Sequence, residues 1–339
     1  MKKIGICGNF GREKESGQTV KTKMLFREIM RGGVPCSSFD TYRINRTTFY
    51  KLFGLIRFVA NNENIIVMPA QNGLKVLTPL LRFINLFFHR KLWYVVIGGW
   101  LPDFLPKHRL LRAELKKFDG IFVEANSMKN RLADMGFKNV YFMPNFKDLT
   151  KVETIRESKN KPFKICTFSR VTESKGIGDA IKTVKLLNSR GFSCTLDIFG
   201  AVDESYGKEF DELLKTKNVY YRGVADSDKT TELLSRYDAL FFPTFYDGEG
   251  FPGTILDAFY AGLPVVASDW KYNSEIIGDE INGLIVSARD IEGYVKAIIR
   301  LMEDDNLWKK METNNLRAAE LYEPRAVISE MLYHMNIII

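Results

Sequence analysis

Short apolar runs alternate with helical segments along most of this chain, stop at a charged break, and then start again. The first set covers residues 4–7, 65–68, 92–97, 120–123 and 140–143; the second covers 163–168, 193–199, 219–221, 239–242, 265–267 and 284–286. Apolar runs of this length suit strands buried on both faces, and a helix between each pair supplies the right-handed crossover that parallel strands require. The break at residues 150–161 (TKVETIRESKNK) is charged and lacks an apolar stripe, as a linker or surface loop does. The reading is therefore α/β, with two doubly wound, Rossmann-like domains facing each other across a cleft and ligands at the carboxyl ends of the strands. The 339 residues suffice for two cores. The expected division is 1–150, 151–315, and a C-terminal helical segment 316–339 packing back toward the N-terminal domain. Within residues 303–335 two helices are expected, broken at Pro324.

Charge is unevenly shared. Residues 1–150 hold 25 Lys and Arg against 11 Asp and Glu, a net of +14, whereas the remainder holds 24 against 30, a net of −6. In the basic half, residues 42–58 (YRINRTTFYKLFGLIRF) and 76–94 (VLTPLLRFINLFFHRKLWY) interleave aromatics and aliphatics with Arg and Lys, as interfacial helices do. Neither reaches about 18 uninterrupted apolar residues, the length a spanning helix needs. A peripheral contact with an anionic membrane surface is the expectation. The N-terminal apolar run is too short for a signal peptide and reads as a first core strand. Four scattered cysteines, with no C-x-x-C pair, suit structural thiols in a reducing compartment, so a cytoplasmic location is expected, free or peripheral on the inner face of the cell membrane.

Chemistry concentrates in residues 243–277. The order is buried strand, glycine-rich loop, short helix and second buried strand, with Glu249 in the loop and Asp257 eight residues on in the helix. Two carboxylates thus frame a helix N-terminus whose first N–H groups lack intrahelical partners, a place to hold a phosphorylated, hydroxyl-rich ligand. Gly250, Phe251, Pro252, Gly253 and Thr254 form the loop: its glycines let the backbone approach a ligand, and N–H groups between Phe251 and Thr254 can bind its oxygens. In the same half, Arg170 and Lys175 leave a strand on its βα turn, where a guanidinium fork and a point charge can neutralise a diphosphate.

In order and spacing these residues resemble glycosyltransferase family 4: Arg170 and Lys175-Gly176, then Glu249-Gly-Phe-Pro with Asp257, then Ala261-Gly-Leu-Pro-Val-Val-Ala-Ser-Asp269. The resemblance covers most of residues 162–290. It implies the GT-B fold and a retaining hexosyltransferase of the surface-polysaccharide type that uses a nucleotide diphosphate sugar, with UDP-sugars favoured. The family's E-x7-E pair falls on Glu249 and Asp257, so Glu249 would contact the transferred sugar and Asp257 the ribose hydroxyls. Asp is shorter than Glu by roughly 1.5 Å, so the ribose must sit closer, a water must bridge, or the contact is lost. With Glu249, Arg170 and Lys175 are assigned to catalysis. The resemblance also places Gly17 beside a phosphate and Val224 near the base. Gly99 and Trp100, after a first-domain strand, stand where an acceptor would enter, and Trp100 can stack on a sugar ring. The implied acceptor is a glycan or polyprenyl-linked glycan.

No cofactor and no obligatory metal is expected. Asp226-Ser-Asp228 matches a D-x-D pattern but precedes a helical run, where Ser227 or Asp228 suits an N-cap. His89 and His108 do not align with the position at which relatives carry a histidine, so no histidine receives a catalytic role. A nucleotide-sugar epimerase of GT-B-like plan and a basic nucleic-acid-binding protein are the competing readings. The second is disfavoured because the basic residues lie among long aliphatics and no nucleic-acid module is present.

Overall fold

The computed structural model describes residues 3–11, 17–41, 48–152, 156–226 and 229–337. It divides into two compact units, Met1–Asn145 with Pro324–Ile339, and Phe146–Glu323.

The first unit is built on six parallel strands: β1 (Ile4–Gly8), β2 (Cys36–Asp40), β3 (Asn64–Val67), β4 (Lys91–Val95), β5 (Gly120–Val123) and β6 (Val140–Phe142). Their order is β2-β1-β3-β4-β5-β6. Five match the apolar runs. The exception, β2, reads CSSFD and is half exposed at the sheet edge, so it carries no apolar signature. The stretch 76–94 is not one element. Helix Gln71–Phe88 stops at His89, which adopts the left-handed conformation (φ 53°), and β4 follows at once. Residues 42–47 lie outside the described residues, and helix Thr48–Ala60 begins after them.

The second unit repeats the plan with β7 (Phe163–Phe168), β8 (Cys194–Phe199), β9 (Val219–Gly223), β10 (Ala239–Phe242), β11 (Val265–Asp269) and β12 (Gly283–Ser287). Their order is β12-β11-β10-β7-β8-β9. One face of this sheet buries Ile165, Leu196, Phe241 and Val266 among helix residues such as Ile181 and Val295. The opposite face buries Cys166, Leu240, Val265 and Ala267 against Ile255, Phe259 and Tyr260. Each fully buried aliphatic or aromatic side chain contributes about 1.5–3 kcal/mol. The chain runs one way from β7 to β9 and the other way from β10 to β12. The order therefore reverses between β7 and β10, and a crevice opens outside their carboxyl ends.

The unit boundaries differ from the expected ones. Residues 146–152 attach to the second unit: Val152 N donates to Tyr260 O (3.1 Å) and Tyr260 Oη to Lys147 O (3.2 Å). Helix Asp305–Glu320 also stays whole with that unit, packing on helix Gly253–Tyr260, while Asn315 Nδ2 donates to Leu263 O and Asn282 O. Only from Pro324, the first residue of helix Pro324–His334, does the chain rejoin the first unit, where this helix packs on Gly17–Arg31. The charged break is partly tied down. Residues 153–155 lie outside the described residues, but Arg156 and Asn160 serve the buried carboxylate of Asp238, and Lys159 caps Leu301 O and Met302 O. A carboxylate out of water needs donors, and these supply them.

Candidate functional site

The crevice between β7 and β10 gathers Lys175 and Glu249, two of the residues singled out from the sequence. Lys175 lies in the turn after β7 and Glu249 in the loop after β10, and Lys175 Nζ stands 2.6 Å from Glu249 Oε2. The two side chains are 11% and 9% exposed, so the pair is largely out of water and needs further polar support. Thr244 Oγ1 supplies it, 2.9 Å from the same Oε2. Both contacts fall on Oε2, and no hydrogen bond to Oε1 is seen among the described residues. Thr244 is fixed in turn, its carbonyl accepting from Ser268 Oγ at the end of β11.

Tyr246 organises the cations. Its ring faces Lys175 Nζ at 4.9 Å and the Arg170 guanidinium at 6.0 Å, both within cation–π range. Its carbonyl accepts from Glu249 N (3.1 Å) and from Trp270 Nε1 (2.9 Å), which closes the loop into a tight turn. Arg170 itself is exposed.

Gly176 makes the approach of the two loops possible. It sits at φ 73°, and a Cβ there would lie 2.1 Å from Pro243 O. No side chain fits, so backbone meets backbone between the β7 turn and the end of β10. Phe245 N donates to Ser174 O (2.8 Å) across the same seam.

Beyond Glu249 the loop runs into the core: Gly250, Phe251 and Pro252 are buried, and the Phe251 ring meets Tyr322 edge-on at 5.1 Å. The Phe251 side chain is therefore a packing group, which leaves only its backbone to meet a ligand. Helix Gly253–Tyr260 starts at Gly253, with Pro252 at the N-cap in extended conformation and no side-chain cap. At its first turn the Thr254 hydroxyl is buried and has no hydrogen-bond partner among the described residues.

Asp257, on the same helix, is buried, and both its oxygens are taken by Lys147 Nζ at 2.5 and 2.6 Å. Burial pushes its carboxyl above the usual carboxylate range, and the Lys147 ammonium pulls against that shift. Lys147 has no sequence signal, standing 110 residues away in a charged segment. Thr244, Tyr246 and Trp270 were missed as well, being hydroxyl and aromatic residues that strands and loops carry everywhere.

Other singled-out residues lie elsewhere. Val224 is exposed, just past the edge strand β9. Gly17 begins helix Gly17–Arg31, with open space where its Cβ would be, and Ser16 before it lies outside the described residues. After β4, Gly99 is buried, and Trp100 Nε1 donates to Ile97 O (2.9 Å) while its ring sits edge-on to Phe104 at 5.2 Å. Of the D-x-D run, Ser227 and Asp228 lie outside the described residues. His108 bonds Phe104 O, and His334 stacks on Tyr141 at 4.4 Å. Among the described residues no group of three His, Cys, Asp or Glu is placed to hold a metal ion.

Residues 150–317, which hold the whole of this constellation except Lys147, match the family described as glycosyl transferases group 1. The matched segment runs from just before β7 to beyond β12. Curated relatives include the amylovoran biosynthesis glycosyltransferase AmsK of Erwinia amylovora, 28% identical over 44% of this chain and 39% of its own. Another is the N,N'-diacetylbacillosaminyl-diphospho-undecaprenol alpha-1,3-N-acetylgalactosaminyltransferase of Campylobacter jejuni, 25% identical over 59% of this chain and 52% of its own. The chain spans about half the length of the curated relatives it matches. Among solved structures, Anabaena HepE in complex with UDP is similar over 99% of this chain and 100% of its own, with a TM-score of 0.78 and 14% identity. The two six-stranded parallel sheets with flanking helices are those of the GT-B fold.

Two predictions concern how this crevice is held. Gly176→Ala forces a side chain into Pro243 O at positive φ, and a stability loss of about 2 kcal/mol or more is expected in urea denaturation; a loss within error of zero would mean that the two loops separate freely. Lys147→Met leaves a buried carboxylate without its counter-charge, at a cost of roughly 3–5 kcal/mol near neutral pH. The Asp257 pKa is raised in the folded state, so the native protein binds its proton more tightly than the unfolded chain. Stability from this group therefore falls as pH rises from the ordinary aspartate value through the raised one. The variant's deficit should shrink on acidification as the carboxylate takes up its proton, and a deficit that does not change with pH would show that Asp257 does not titrate with folding.

Proposed function

We propose that the chain is a retaining hexosyltransferase that moves a sugar from a nucleotide diphosphate sugar to a glycan or lipid-linked glycan acceptor. The carrying observation is the Lys175–Glu249 pair at the β7/β10 crevice, with Arg170 beside it and an uncapped helix end following it. Glu249, held through Oε2, offers Oε1 to a sugar hydroxyl. Lys175 and Arg170 face the diphosphate. As the bond between the anomeric carbon and the phosphate oxygen breaks, the electron pair leaves with the diphosphate, and the two cations and the N–H groups of Gly253 and Thr254 stabilise the charge that develops. The acceptor oxygen bonds the anomeric carbon on the same face, and its proton passes to the departing phosphate oxygen. No protein nucleophile and no metal takes part in this scheme.

Asp257 reads as a ribose contact only in competition with Lys147, which occupies both its oxygens. Val224, past β9, is assigned to the base, Gly17 to a phosphate, and Gly99 and Trp100 to the acceptor. Uridine is favoured as the base, since HepE, similar in fold, was crystallised with UDP and with UDP-glucose. The polysaccharide and undecaprenol-linked names among the relatives favour a glycan acceptor on a lipid carrier.

Screening UDP- and GDP-sugars for thermal stabilisation identifies the donor, and transfer to a lipid-linked acceptor then reads activity. Lys175→Ala should lower kcat by about 10² or more, measured on protein whose circular dichroism spectrum matches the parent's. Near-normal turnover would remove Lys175 from the site, and product formed from donor alone would point to an epimerase.

A further inference from the structure

Two helices of the first unit carry apolar residues on two faces yet bury only one. In helix Gln71–Phe88, Leu74, Leu77, Leu81 and Ile84 face the core, while Val76, Phe83, Leu86 and Phe87 are exposed. In helix Thr48–Ala60, Leu55, Phe58 and Val59 are buried, while Phe53 and Ile56 are exposed. Phe53, Phe83 and Phe87 show 69%, 63% and 71% of their surface to solvent, and Phe83 and Phe87 touch edge-on at 6.0 Å. Water does not favour such an arrangement. A helix apolar all round is ordinarily buried, and a contiguous apolar patch on a surface marks something that covers it.

The two helices are neighbours on one face. Right-handed crossovers from β2 to β3 and from β3 to β4 set both helices on the same face of the sheet, and they pack against each other. Helix Arg109–Leu115 packs beside Gln71–Phe88 and adds Leu110, also exposed.

Charge identifies the occupant. Between residues 48 and 91 the sequence holds six cations (Lys51, Arg57, Lys75, Arg82, Arg90 and Lys91) and one acid, Glu63. Arg57, Lys75 and Lys91 are exposed. The nearby acid Glu114 is already paired with Arg82 and Lys117. A second copy of this chain packed through the same face would bring cations against cations, and like charges placed opposite each other oppose that contact. An apolar surface rimmed by cations instead matches a bilayer with anionic headgroups: the aromatic side chains enter the headgroup–acyl boundary while Lys and Arg reach phosphate. No helix among the described residues is long and apolar enough to cross a membrane, so the contact is a surface one.

We propose that the helical face formed by residues 48–60 and 71–88 docks this protein on an anionic lipid surface, with Phe53, Phe83 and Phe87 inserted and Arg57, Lys75 and Lys91 on the headgroups. This stands apart from the transferase reading, because vesicle binding is measured without donor or acceptor.

Flotation with vesicles of phosphatidylcholine, with and without about 30% phosphatidylglycerol, tests it. The full chain should partition at least about tenfold more strongly onto the anionic vesicles, and raised salt should weaken that binding. Phe83→Ser with Phe87→Ser should reduce partitioning by about tenfold or more even at low salt. Arg57→Glu with Lys75→Glu should abolish the preference for anionic lipid. These positions are exposed, and the circular dichroism spectrum and thermal midpoint of each variant confirm that it is folded. Equal binding to neutral and anionic vesicles, or variants that float like the parent, would overturn the proposal. So would a dimer in light scattering that the serine variants disperse while the parent ignores vesicles.

Discussion

A single ion pair ties the second unit's two crevice loops together. Lys175 and Glu249 come from turns 74 residues apart, yet meet at 2.6 Å because β7 and β10 are neighbours where the strand order reverses. Burying two charges costs several kcal/mol per ion unless hydrogen bonds compensate. Thr244 therefore sits beneath the carboxylate, Ser268 beneath Thr244, and Tyr246 beside the ammonium. Gly176 removes the side chain that would hold the loops apart. Packing and electrostatics here serve one geometry: a carboxylate and two cations held together beyond the carboxyl ends of β7 and β10.

The second carboxylate is held differently. Asp257 lies deeper, on helix Gly253–Tyr260, and Lys147 grips both its oxygens. Lys147 belongs to the segment just after the first unit ends, so the chain's entry into the second unit is anchored on the same helix whose first turn carries the Thr254 hydroxyl, unpartnered among the described residues. The start and the middle of that helix thus do separate tasks: one presents polar groups, the other consumes a carboxylate.

Strands with apolar runs were legible in the sequence because parallel strands buried on both faces leave no other pattern. β2 was not, since an edge strand reading CSSFD needs no apolar run. The break at 150–161 was legible as an interruption, but its attachment to Asp238 was not, because a buried carboxylate 78 residues away leaves no local trace. Lys175 and Glu249 stood out by residue type and by motif. Tyr246, Thr244 and Lys147 did not, since their importance comes from what the fold sets beside them. The exposed aromatics at 53, 83 and 87 were visible only as composition, and their exposure depends on which helix face the sheet covers.

Hydrogen–deuterium exchange with and without a UDP-sugar tests the central claim most directly, because it reads where the donor lands without requiring turnover. Residues 169–176 and 244–254 should slow together on addition of the donor. Protection confined to other segments, with these two loops unchanged, would contradict a donor site built on the Lys175–Glu249 pair.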